Sequence, residues 1–366
     1  MTTHSTQAKP KVWVDGCFDF SHHGHANAVL QARQLSSYLC AGVHSDEDIL
    51  HNKGPPVMNL TERQLTLESM KWVDEVIPSA PYVTSLDVLA EYGCDIVVHG
   101  DDITTDADGN DTYRHVKEAG MFVVVPRTKS ISTTDLVGRM LLVSKAHFMN
   151  RDASMFEGEY LERVSSFASG RDGLTPWSSV WFYTTPGKTT LVIPGQVLRA
   201  SRRVVYVDGG FDLFSSGHIT FLKTVRQVEP DAYILCGIHS DRVINHEKGL
   251  NYPIMNLFER SLCVLACQYV DGVLIGAPFA PASDLGIGRQ IDAVYHGPSA
   301  VPGDPYATVR EEGIYHETMP HDFEEVNAKT IVERIMKSRD LYEERQRKKL
   351  QKSGKEKTLE EIEKSK

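Results

Sequence analysis

From Val12 to about Pro126 the chain alternates short apolar runs with amphipathic stretches. The apolar runs read as buried strands, and the stretches between them place apolar residues at helical spacing, as Val29, Ala32 and Leu35 do in the first helix. The predicted strands begin at Val12 or lie over 38–44, 76–77, 95–99 and 121–126, and the predicted helices begin after Gly24 and Asn59 or lie over 86–92 and 112–119. Such alternation indicates a parallel sheet with helices on both faces, and ligands bind beyond the carboxyl ends of its strands.

The turn between the first strand and the first helix is the most informative stretch of the chain. Gly16 allows a sharp exit from the strand, and Gly24 lets the backbone approach a ligand where the helix begins. The first helical turn offers unpaired N–H groups and a positive dipole end, which suits a phosphate. His22 and His25 would lie beside that anion and donate hydrogen bonds to it. Two other interpretations stay open, a metal site formed by the clustered histidines and a reactive thiol at Cys17.

The same pattern occurs twice, because the stretch that begins at Asp15 recurs 193 residues later at Asp208. The further matches are His44-Ser-Asp46 with His239-Ser-Asp241, Lys53-Gly54 with Lys248-Gly249, Met58-Asn-Leu-x-Glu-Arg63 with Met255-Asn-Leu-x-Glu-Arg260, and His99-Gly100 with His296-Gly297. The offsets drift only between 193 and 197 residues, as small loop insertions would cause. Two copies of one domain are therefore predicted, and not a solenoid.

The repeat gives the expected domain organisation. Two tandem Rossmann-like, doubly wound parallel-sheet domains of the α/β class are predicted at 11–144 and 202–337. The interval 145–201 lacks clear periodicity and is rich in glycine and proline, including Pro186 and Gly187, which predicts a linker. Its aromatic residues indicate that it packs on something. The charged segment 338–366 is predicted to be a solvated helix or a frayed tail.

Composition narrows the class of protein. The chain has 366 residues, of which 41% are hydrophobic and 24% charged, as in ordinary soluble proteins. A net charge of -10 argues against nucleic acid as the main partner. Six cysteines without a CxxC pair favour reduced thiols and a cytoplasmic location. No apolar run approaches the roughly 18 residues of a membrane span, and residues 1–11 lack an apolar signal-peptide core, so neither insertion nor secretion by that route is expected.

Two motifs carry a resemblance to a known family. His22-x-Gly24-His25, which follows Asp15-Gly-Cys-Phe-Asp19, resembles the HxGH signature of the nucleotidyltransferase superfamily. The stretch from Arg127 to Thr134 resembles the RTxxxST signature of its cytidylyltransferase branch. The two motifs occur in order and about one small domain apart, which makes the joint signal strong. Among cytidylyltransferases, the two-copy arrangement is similar to that of the ethanolamine-phosphate cytidylyltransferase family.

This resemblance implies an activity and its partners. The expected enzyme is a nucleotidyltransferase that moves CMP from CTP to phosphoethanolamine, giving CDP-ethanolamine and diphosphate for phosphatidylethanolamine synthesis. Magnesium is expected with CTP, held mostly by phosphates and water with at most one or two carboxylates such as Asp19. The resemblance leaves open a homodimer and a peripheral contact with the endoplasmic reticulum membrane. The runner-up activities are another nucleotidyltransferase, such as an adenylyltransferase or a choline-phosphate enzyme, and a catalytically inactive nucleotide sensor or scaffold.

The resemblance also assigns roles to residues. His22 and His25 would contact the CTP phosphates, Lys53 would bridge acceptor phosphate and nucleotide, and Arg127 would hold the diphosphate end. The nucleotide set is Gly16, Cys17, Phe18, Asp19, Gly24, Asp74, His99, Gly100, Asp101, Thr128, Ser132, Thr133 and Thr134. The phosphoethanolamine set is Asp15, His44, Lys53, Tyr82, Tyr113 and Phe122, since carboxylates and aromatic faces bind ammonium groups. Independently of the resemblance, Ser132-x-x-Asp135 predicts a capping box that opens a helix with Leu136, Met140 and Val143 on one face.

The two copies differ at the positions that carry chemistry. Ser215 stands where the first copy has His22, so that only His218 of the second pair remains. The stretch from Thr318 to Asn327 replaces the second motif and brings carboxylates that would repel a triphosphate. The first copy is therefore predicted to be catalytic and the second to be degenerate.

Overall fold

Five parallel strands form the sheet of the first copy. The computed structural model describes residues 9–129, 131–149, 152–185, 188–196, 198–199, 201–299, 301 and 303–344. The strands are β1 Lys11–Gly16, β2 Tyr38–His44, β3 Glu75–Ala80, β4 Ile96–Gly100 and β5 Phe122–Val125, in the order β3-β2-β1-β4-β5. Strand β1 lies at the centre, paired with β2 from Lys11 beside Tyr38 to Gly16 beside Val43. Val12, Trp13 and Val14 are all buried, because helices cover both faces of a parallel sheet.

The helices of this part connect the strands as the alternating pattern predicts. They are α1 His23–Leu35, α2 Asp46–Lys53, α3 Leu60–Glu68, α4 Leu86–Tyr92, α5 Arg114–Glu118 and α6 Thr133–Leu142. The predicted cap of α3 is confirmed, since Asn59 and Glu62 exchange hydrogen bonds of 2.9 and 3.0 Å between side chain and backbone. The predicted core position of Leu35 is wrong, because α1 ends there and Leu35 is 40% exposed. Val143, predicted on one face of α6, is instead the C-cap just past that helix and is 53% exposed.

The second copy carries a larger sheet. After helix α7 Gly158–Phe167, its strands are β6 Ser179–Thr185, β7 Lys188–Ile193, β8 Val204–Gly209, β9 Tyr233–Ile238, β10 Gly272–Ile275, β11 Ala293–His296 and β12 Tyr315–Glu317. The order is β12-β11-β8-β9-β10-β6-β7, and all neighbours are parallel except β6 and β7. Its helices are α8 Ser216–Val228, α9 Asp241–Lys248, α10 Leu257–Ala266, α11 Ala307–Glu311 and α12 Ala328–Lys337. The prediction of two α/β domains with parallel sheets is confirmed.

The interval 145–201 contains more regular structure than a linker. It holds a 3-10 helix at Asp152–Phe156, α7, and the antiparallel pair β6 and β7 that extends the second sheet. Trp181 is buried in the core of that sheet against Tyr233, at 6.2 Å between ring centroids, so the prediction that the aromatic residues pack is confirmed. Pro186 and Gly187 lie outside the described residues.

Contacts divide the chain into two units. The described parts of the first lie within Met1–Glu68, Trp72–Ile131 and Lys337–Lys366, and those of the second within Ser69–Lys71 and Ser132–Met336. The start of the predicted charged tail belongs to the first unit, where Tyr342 is buried and donates a hydrogen bond to the Pro56 carbonyl. Residues 345–366 of that predicted tail lie outside the described part of the chain.

Candidate active site

The turn that connects β1 to α1 has an unusual backbone. Phe18 and Phe20 have φ values of 52° and 47°, in the left-handed region that few non-glycine residues adopt. The buried Arg63 guanidinium holds this turn by donating to the Cys17 carbonyl at 2.7 Å and the His44 carbonyl at 2.8 Å. A guanidinium suits this task because its fork of donors can serve several carbonyls at once.

Asp19 anchors the same turn to the loop before α3. It is 2% exposed, and its carboxylate accepts the backbone N–H groups of Val57 and Met58 at 2.9 to 3.2 Å. These bonds use acceptor positions that a magnesium ion would need. The structure thus gives Asp19 a positioning role for the turn, and its part in nucleotide or metal binding stays a prediction.

The start of α1 brings the two predicted phosphate-binding histidines together. His22 is the N-cap, and its Nδ1 accepts the Gly24 N–H at 3.1 Å. The His22 and His25 rings stack with 4.0 Å between centroids and 22° between planes. A Cβ atom on Gly24 would lie 2.9 Å from the His22 ring and 3.0 Å from Ile131, so only glycine fits here. The two imidazoles and the first N–H groups of α1 therefore form one surface suited to phosphate oxygens.

Asp15 is the buried carboxylate of the site, at the carboxyl end of β1. Its Oδ1 accepts from the Tyr113 hydroxyl at 2.6 Å, and its Oδ2 accepts from Trp13 Nε1 at 2.8 Å and Thr84 Oγ1 at 2.6 Å. A carboxylate has about four acceptor positions, so these three donors leave one for a ligand. The geometry suits an ammonium group that donates a hydrogen bond to a carboxylate already held in place.

Aromatic rings continue from Asp15 in both directions along the sheet edge. Tyr113 packs on His99 at 4.6 Å and on Phe122 at 5.1 Å between ring centroids. His44 packs on Tyr82 at 4.9 Å. The six predicted phosphoethanolamine positions thus all lie in the first unit, and five of them form these ring and carboxylate contacts.

Lys53 completes that set at the end of α2. Its Nζ lies 5.6 Å from the centroid of the Tyr82 ring, and its charge contributes to lowering the pKa values of His44 and His99. The lysine side chain is exposed, so its ammonium group reaches the site from the solvent side. Such a placement suits contact with a phosphate at the mouth of the site.

The two histidines beside Asp15 are held as neutral acceptors. Burial lowers the pKa values of His44 and His99 below the usual range, although Asp15 acts in the opposite direction. Their Nδ1 atoms contact the Ala80 carbonyl at 3.2 Å and the Gly100 carbonyl at 3.1 Å. A carbonyl only accepts, so Nδ1 carries the proton and Nε2 is the acceptor. Neutral imidazoles of this tautomer accept hydrogen bonds from an ammonium group and do not repel it.

The cation of the second motif follows β5. Arg127 donates from its guanidinium to Asp102 at 3.0 Å and from its backbone to Asp101 at 3.2 Å. The adjacent Thr128 accepts a hydrogen bond of 3.0 Å from the side chain of Asn27 on α1. Asn27 thereby joins the start of the second motif to the helix of the first motif.

The rest of the second motif lies in the second unit, at the start of α6. Ser132 is the N-cap and accepts the Asp135 N–H at 3.0 Å, with Thr133 and Thr134 in the first helical turn. Further along α6, Arg139 forms a two-pronged ion pair with Glu259, with N–O distances of 2.7 and 2.9 Å. The helix that carries the hydroxyl groups is therefore fixed by a largely buried charge pair within this unit.

One predicted nucleotide residue lies away from the others. Asp74 precedes β3, pairs with Arg33 and accepts the Leu39 N–H at 2.8 Å, at the amino end of β2. Asp271 and Arg226 repeat this pair in the second unit, which indicates a structural tie at the edge of the sheet opposite the site. Ligands bind beyond the carboxyl ends of parallel strands, whereas Asp74 lies near the amino end of β2.

Several residues of this arrangement escaped the sequence reasoning. Trp13, Thr84 and Asn27 belong to no motif, and only the structure shows them donating to site residues. Arg63 did leave a signal, because it ends a stretch that recurs in the second copy. Its counterpart Arg260 makes the equivalent bonds to the Gly210 and His239 carbonyls.

The equivalent helix start of the second unit serves a local structural purpose. The Nδ1 of His218 accepts the Ser215 N–H at 3.2 Å, and burial lowers the pKa of His218 to about 3. Ser215 Oγ donates to the Val326 carbonyl at 2.9 Å. A Cβ on Gly217 would lie 2.3 Å from that same carbonyl oxygen, so backbone carbonyls cover the first turn of α8. Carbonyl oxygens repel phosphate, and this helix start offers it no place.

Metal ligands are sparse. Among the described residues no group of three or more His, Cys, Asp or Glu side chains could hold a metal ion.

Comparison with known proteins places the chain in a family. The model described as cytidylyltransferase-like matches residues 13–139 and 206–344. The chain is 42% identical to ethanolamine-phosphate cytidylyltransferase of Mus musculus over 362 residues, covering 93% of this chain and 89% of the relative. The protein of that name from Dictyostelium discoideum is 43% identical over 360 residues, covering 95% and 97%. Choline-phosphate cytidylyltransferase A of Rattus norvegicus is 44% identical over 134 residues, 36% of each chain.

The repeated model match defines a cytidylyltransferase-like protein with two copies of the domain. On the strength of its full-length relatives, the chain belongs to the ethanolamine-phosphate cytidylyltransferase family. In the described part of the chain, no helix combines the length and apolar character required of a membrane span.

Proposed function

We propose that this chain transfers CMP from CTP to phosphoethanolamine and releases diphosphate, as the names of its full-length relatives imply for them. The observation that carries the proposal is that the first unit has two suitable surfaces, one at the carboxyl end of β1 and one at the start of α1, the helix that follows it. One is the stacked pair His22 and His25 at a helix start, which suits phosphates, and the other is Asp15 within neutral rings, which suits an ammonium group. Phosphoethanolamine carries both charges on one small molecule.

The reaction needs alignment and charge stabilisation, and no nucleophilic side chain. A phosphate oxygen of phosphoethanolamine attacks the α-phosphorus of CTP in line, a new P–O bond forms, and the bond to the bridging oxygen breaks. Diphosphate leaves with that electron pair. His22, His25 and the N–H groups of α1 donate to the phosphate oxygens, where negative charge grows in the transition state. Lys53 and Arg127 supply the cations that let two anions approach each other.

Arg127 forms an ion pair with Asp102, and both side chains are exposed. An exposed pair contributes at most about 1 kcal/mol, so a diphosphate group can replace Asp102 at small cost. In the second unit, Ser132, Thr133 and Thr134 carry hydroxyl groups at a helix start, which suits an anion. Their contact with diphosphate stays a proposal.

The ammonium end of the acceptor binds at Asp15. A primary ammonium donates three hydrogen bonds, and the remaining acceptor position of Asp15 and the Nε2 atoms of His44 and His99 accept them. The Tyr82 and Tyr113 rings add cation–π attraction. A quaternary ammonium has no N–H to donate, which favours ethanolamine over choline as the acceptor.

Magnesium is proposed to enter with CTP, bound by phosphates and water. The carboxylate of Asp19 is a poor ligand for it, since the backbone N–H groups of Val57 and Met58 already donate to that carboxylate. A cytoplasmic location, a peripheral contact with the endoplasmic reticulum membrane and a homodimer stay predictions from the sequence.

The test is diphosphate release by the purified full-length chain with CTP and magnesium. Phosphoethanolamine, phosphocholine and glycerol 3-phosphate are compared as acceptors, each with CTP and with ATP. We expect the kcat/KM with CTP and phosphoethanolamine to be at least about tenfold above that of every other combination. This ratio corresponds to about 1.4 kcal/mol of transition-state stabilisation. Release only with ATP, or faster release with phosphocholine, refutes the proposal.

A further inference from the structure

The chain that follows the second copy returns to the first unit and contacts a loop of the candidate site. Tyr342 is 5% exposed, and its hydroxyl donates to the Pro56 carbonyl at 3.3 Å, across 286 residues of sequence. Both residues lie within the first unit. The sequence predicts a solvated helix or a frayed tail for the segment that carries Tyr342. The burial of a tyrosine in so charged a segment indicates a specific tie to the first unit.

The loop that Tyr342 contacts connects two parts of the candidate site. It begins at Lys53, the proposed ligand of the acceptor phosphate at the end of α2. It ends at the two backbone N–H groups that donate to Asp19 at 2.9 to 3.2 Å. Pro56 lies three residues after Lys53, so a displacement of the Pro56 carbonyl moves the backbone that carries the lysine.

Two prolines deprive this loop of backbone donors. Pro55 and Pro56 carry no N–H group, so their carbonyl oxygens are the groups that a hydrogen bond can fix. In the second copy, Asn245 on α9 donates to three carbonyls of the equivalent loop at 2.7 to 3.3 Å. Leu50 stands at that position of α2 and cannot donate. The donor to the first loop comes instead from a distant part of the chain, as the hydroxyl of Tyr342.

A tie of the same kind recurs in the second unit. Nε2 of His147 contacts the Pro253 carbonyl at 2.8 Å, and both residues belong to the second unit. A carbonyl only accepts, so His147 is the donor. Pro253 lies 197 residues after Pro56, and Tyr342 lies 195 residues after His147, both within the offsets of the repeat. The chain after each copy thus supplies a donor ring to the proline loop of the other copy.

We propose that Tyr342 is a positioning residue for Lys53, a role that rests on the CMP transfer proposed above. Through the Pro56 carbonyl, Tyr342 fixes the loop and with it the ammonium group of Lys53 at the mouth of the site, where the phosphate of phosphoethanolamine binds. It acts through the loop and not on the substrate. The second copy then serves catalysis by delivering this tyrosine.

The first test is amide hydrogen exchange of the full-length chain without substrates. Tyr342→Ala removes the hydroxyl and the ring, and it should speed exchange of the Val57 and Met58 amides at least about tenfold, because their bonds to Asp19 depend on the position of the loop. Tyr342→Phe keeps the ring and should have a smaller effect. Leu341→Ala, at a 54% exposed neighbour, is the matched control and should leave exchange unchanged. Equal exchange in Tyr342→Ala and the unmodified chain overturns the proposal.

The second test is turnover, measured at enzyme concentrations high enough to detect slow variants. Tyr342→Ala should raise the KM for phosphoethanolamine at least about tenfold and the KM for CTP less, because the acceptor phosphate loses a charged donor. In a Lys53→Ala background the same change should have little further effect, since a positioning residue acts through the residue that it positions. His147→Ala removes the equivalent tie of the second unit and should leave the KM for phosphoethanolamine unchanged.

Three outcomes of the turnover test overturn the positioning role. They are an unchanged KM for phosphoethanolamine in Tyr342→Ala, an effect of Tyr342→Ala that is equally large with and without Lys53, and an equal rise in His147→Ala. Absence of CMP transfer by the unmodified chain refutes the proposed function and, with it, the role of Lys53. The exchange experiment still decides in that case whether Tyr342 holds the loop.

Discussion

Arg139→Met removes the charge pair that fixes the helix carrying Ser132 to Thr134. The Arg139 and Glu259 side chains are 10% and 6% exposed, and their contact is two-pronged. Arg139 also donates to the Ile254 carbonyl at 3.0 Å. Loss of the guanidinium leaves a buried carboxylate without its cation, and methionine fills much of the same volume without replacing the charge.

The size of the effect follows from this burial. Removal of one partner from a buried ion pair costs about 3–5 kcal/mol, because the other charge stays desolvated. The second ion pair of Arg139, with the 45% exposed Asp135, contributes at most about 1 kcal/mol. Arg139→Met should therefore lower the free energy of unfolding of the second unit by about 3 kcal/mol, and Asp135→Asn should be nearly neutral.

Urea unfolding of Arg139→Met, Glu259→Gln and the double variant measures the coupling between Arg139 and Glu259. Glutamine can still accept the Asn256 N–H as the third residue of the α10 capping box, so this partner change spares the helix cap. The cycle should give an interaction energy of about 2–3 kcal/mol between Arg139 and Glu259. The KM for CTP should rise with Arg139→Met, since α6 carries the proposed diphosphate hydroxyls. Additive losses in the cycle, or an unchanged KM, would refute this reasoning.

Three further predictions concern single residues. Asp15→Asn should raise the KM for phosphoethanolamine at least about tenfold with a smaller change in the KM for CTP, because the ammonium loses a charged partner; equal changes in both KM values would argue against amine recognition there. Gly24→Ala places a Cβ 2.9 Å from the His22 ring and should lower kcat, whereas Gly138→Ala, with no atom within 4 Å of the new Cβ, should not. Burial raises the pKa of Asp208 to about 7, so the folded chain binds this proton more tightly than the unfolded chain and loses stability as pH rises from about 4 through about 7, by up to about 4 kcal/mol. Thermal unfolding of Asp208→Asn against the unmodified chain should accordingly show a relative gain in stability for the variant at about pH 8 over about pH 5, and a stability difference that does not change with pH would contradict the raised pKa of Asp208.

Apolar runs alternating with amphipathic stretches predicted the first parallel-sheet domain, and the 193-residue repeat predicted the second. The helix start at His22 to His25 could be located for the same reason, since a glycine turn and a polar cluster follow a strand directly. The failures at Leu35 and Val143 occurred at helix ends, where an apolar residue can leave the core without breaking the spacing. Periodicity does not mark the last residue that faces the core.

Side-chain partners from distant parts of the chain were beyond sequence reasoning. Thr84 donates to Asp15 across 69 positions, and Asn27 reaches Thr128 across 101 positions. Asp74 was assigned to the nucleotide from the resemblance alone, and that role stays a prediction, while the structure shows its ion pair with Arg33.

The first copy is proposed to catalyse CMP transfer, and the second copy is proposed not to. The most direct measurement is the kcat of CTP-dependent diphosphate release for His25→Ala and His218→Ala, made side by side with phosphoethanolamine as the acceptor. Loss of a transition-state donor predicts a fall of about 10² or more for His25→Ala. His218 caps its own helix and should leave kcat nearly intact when replaced. An equal fall in both variants would contradict the division of labour between the two copies.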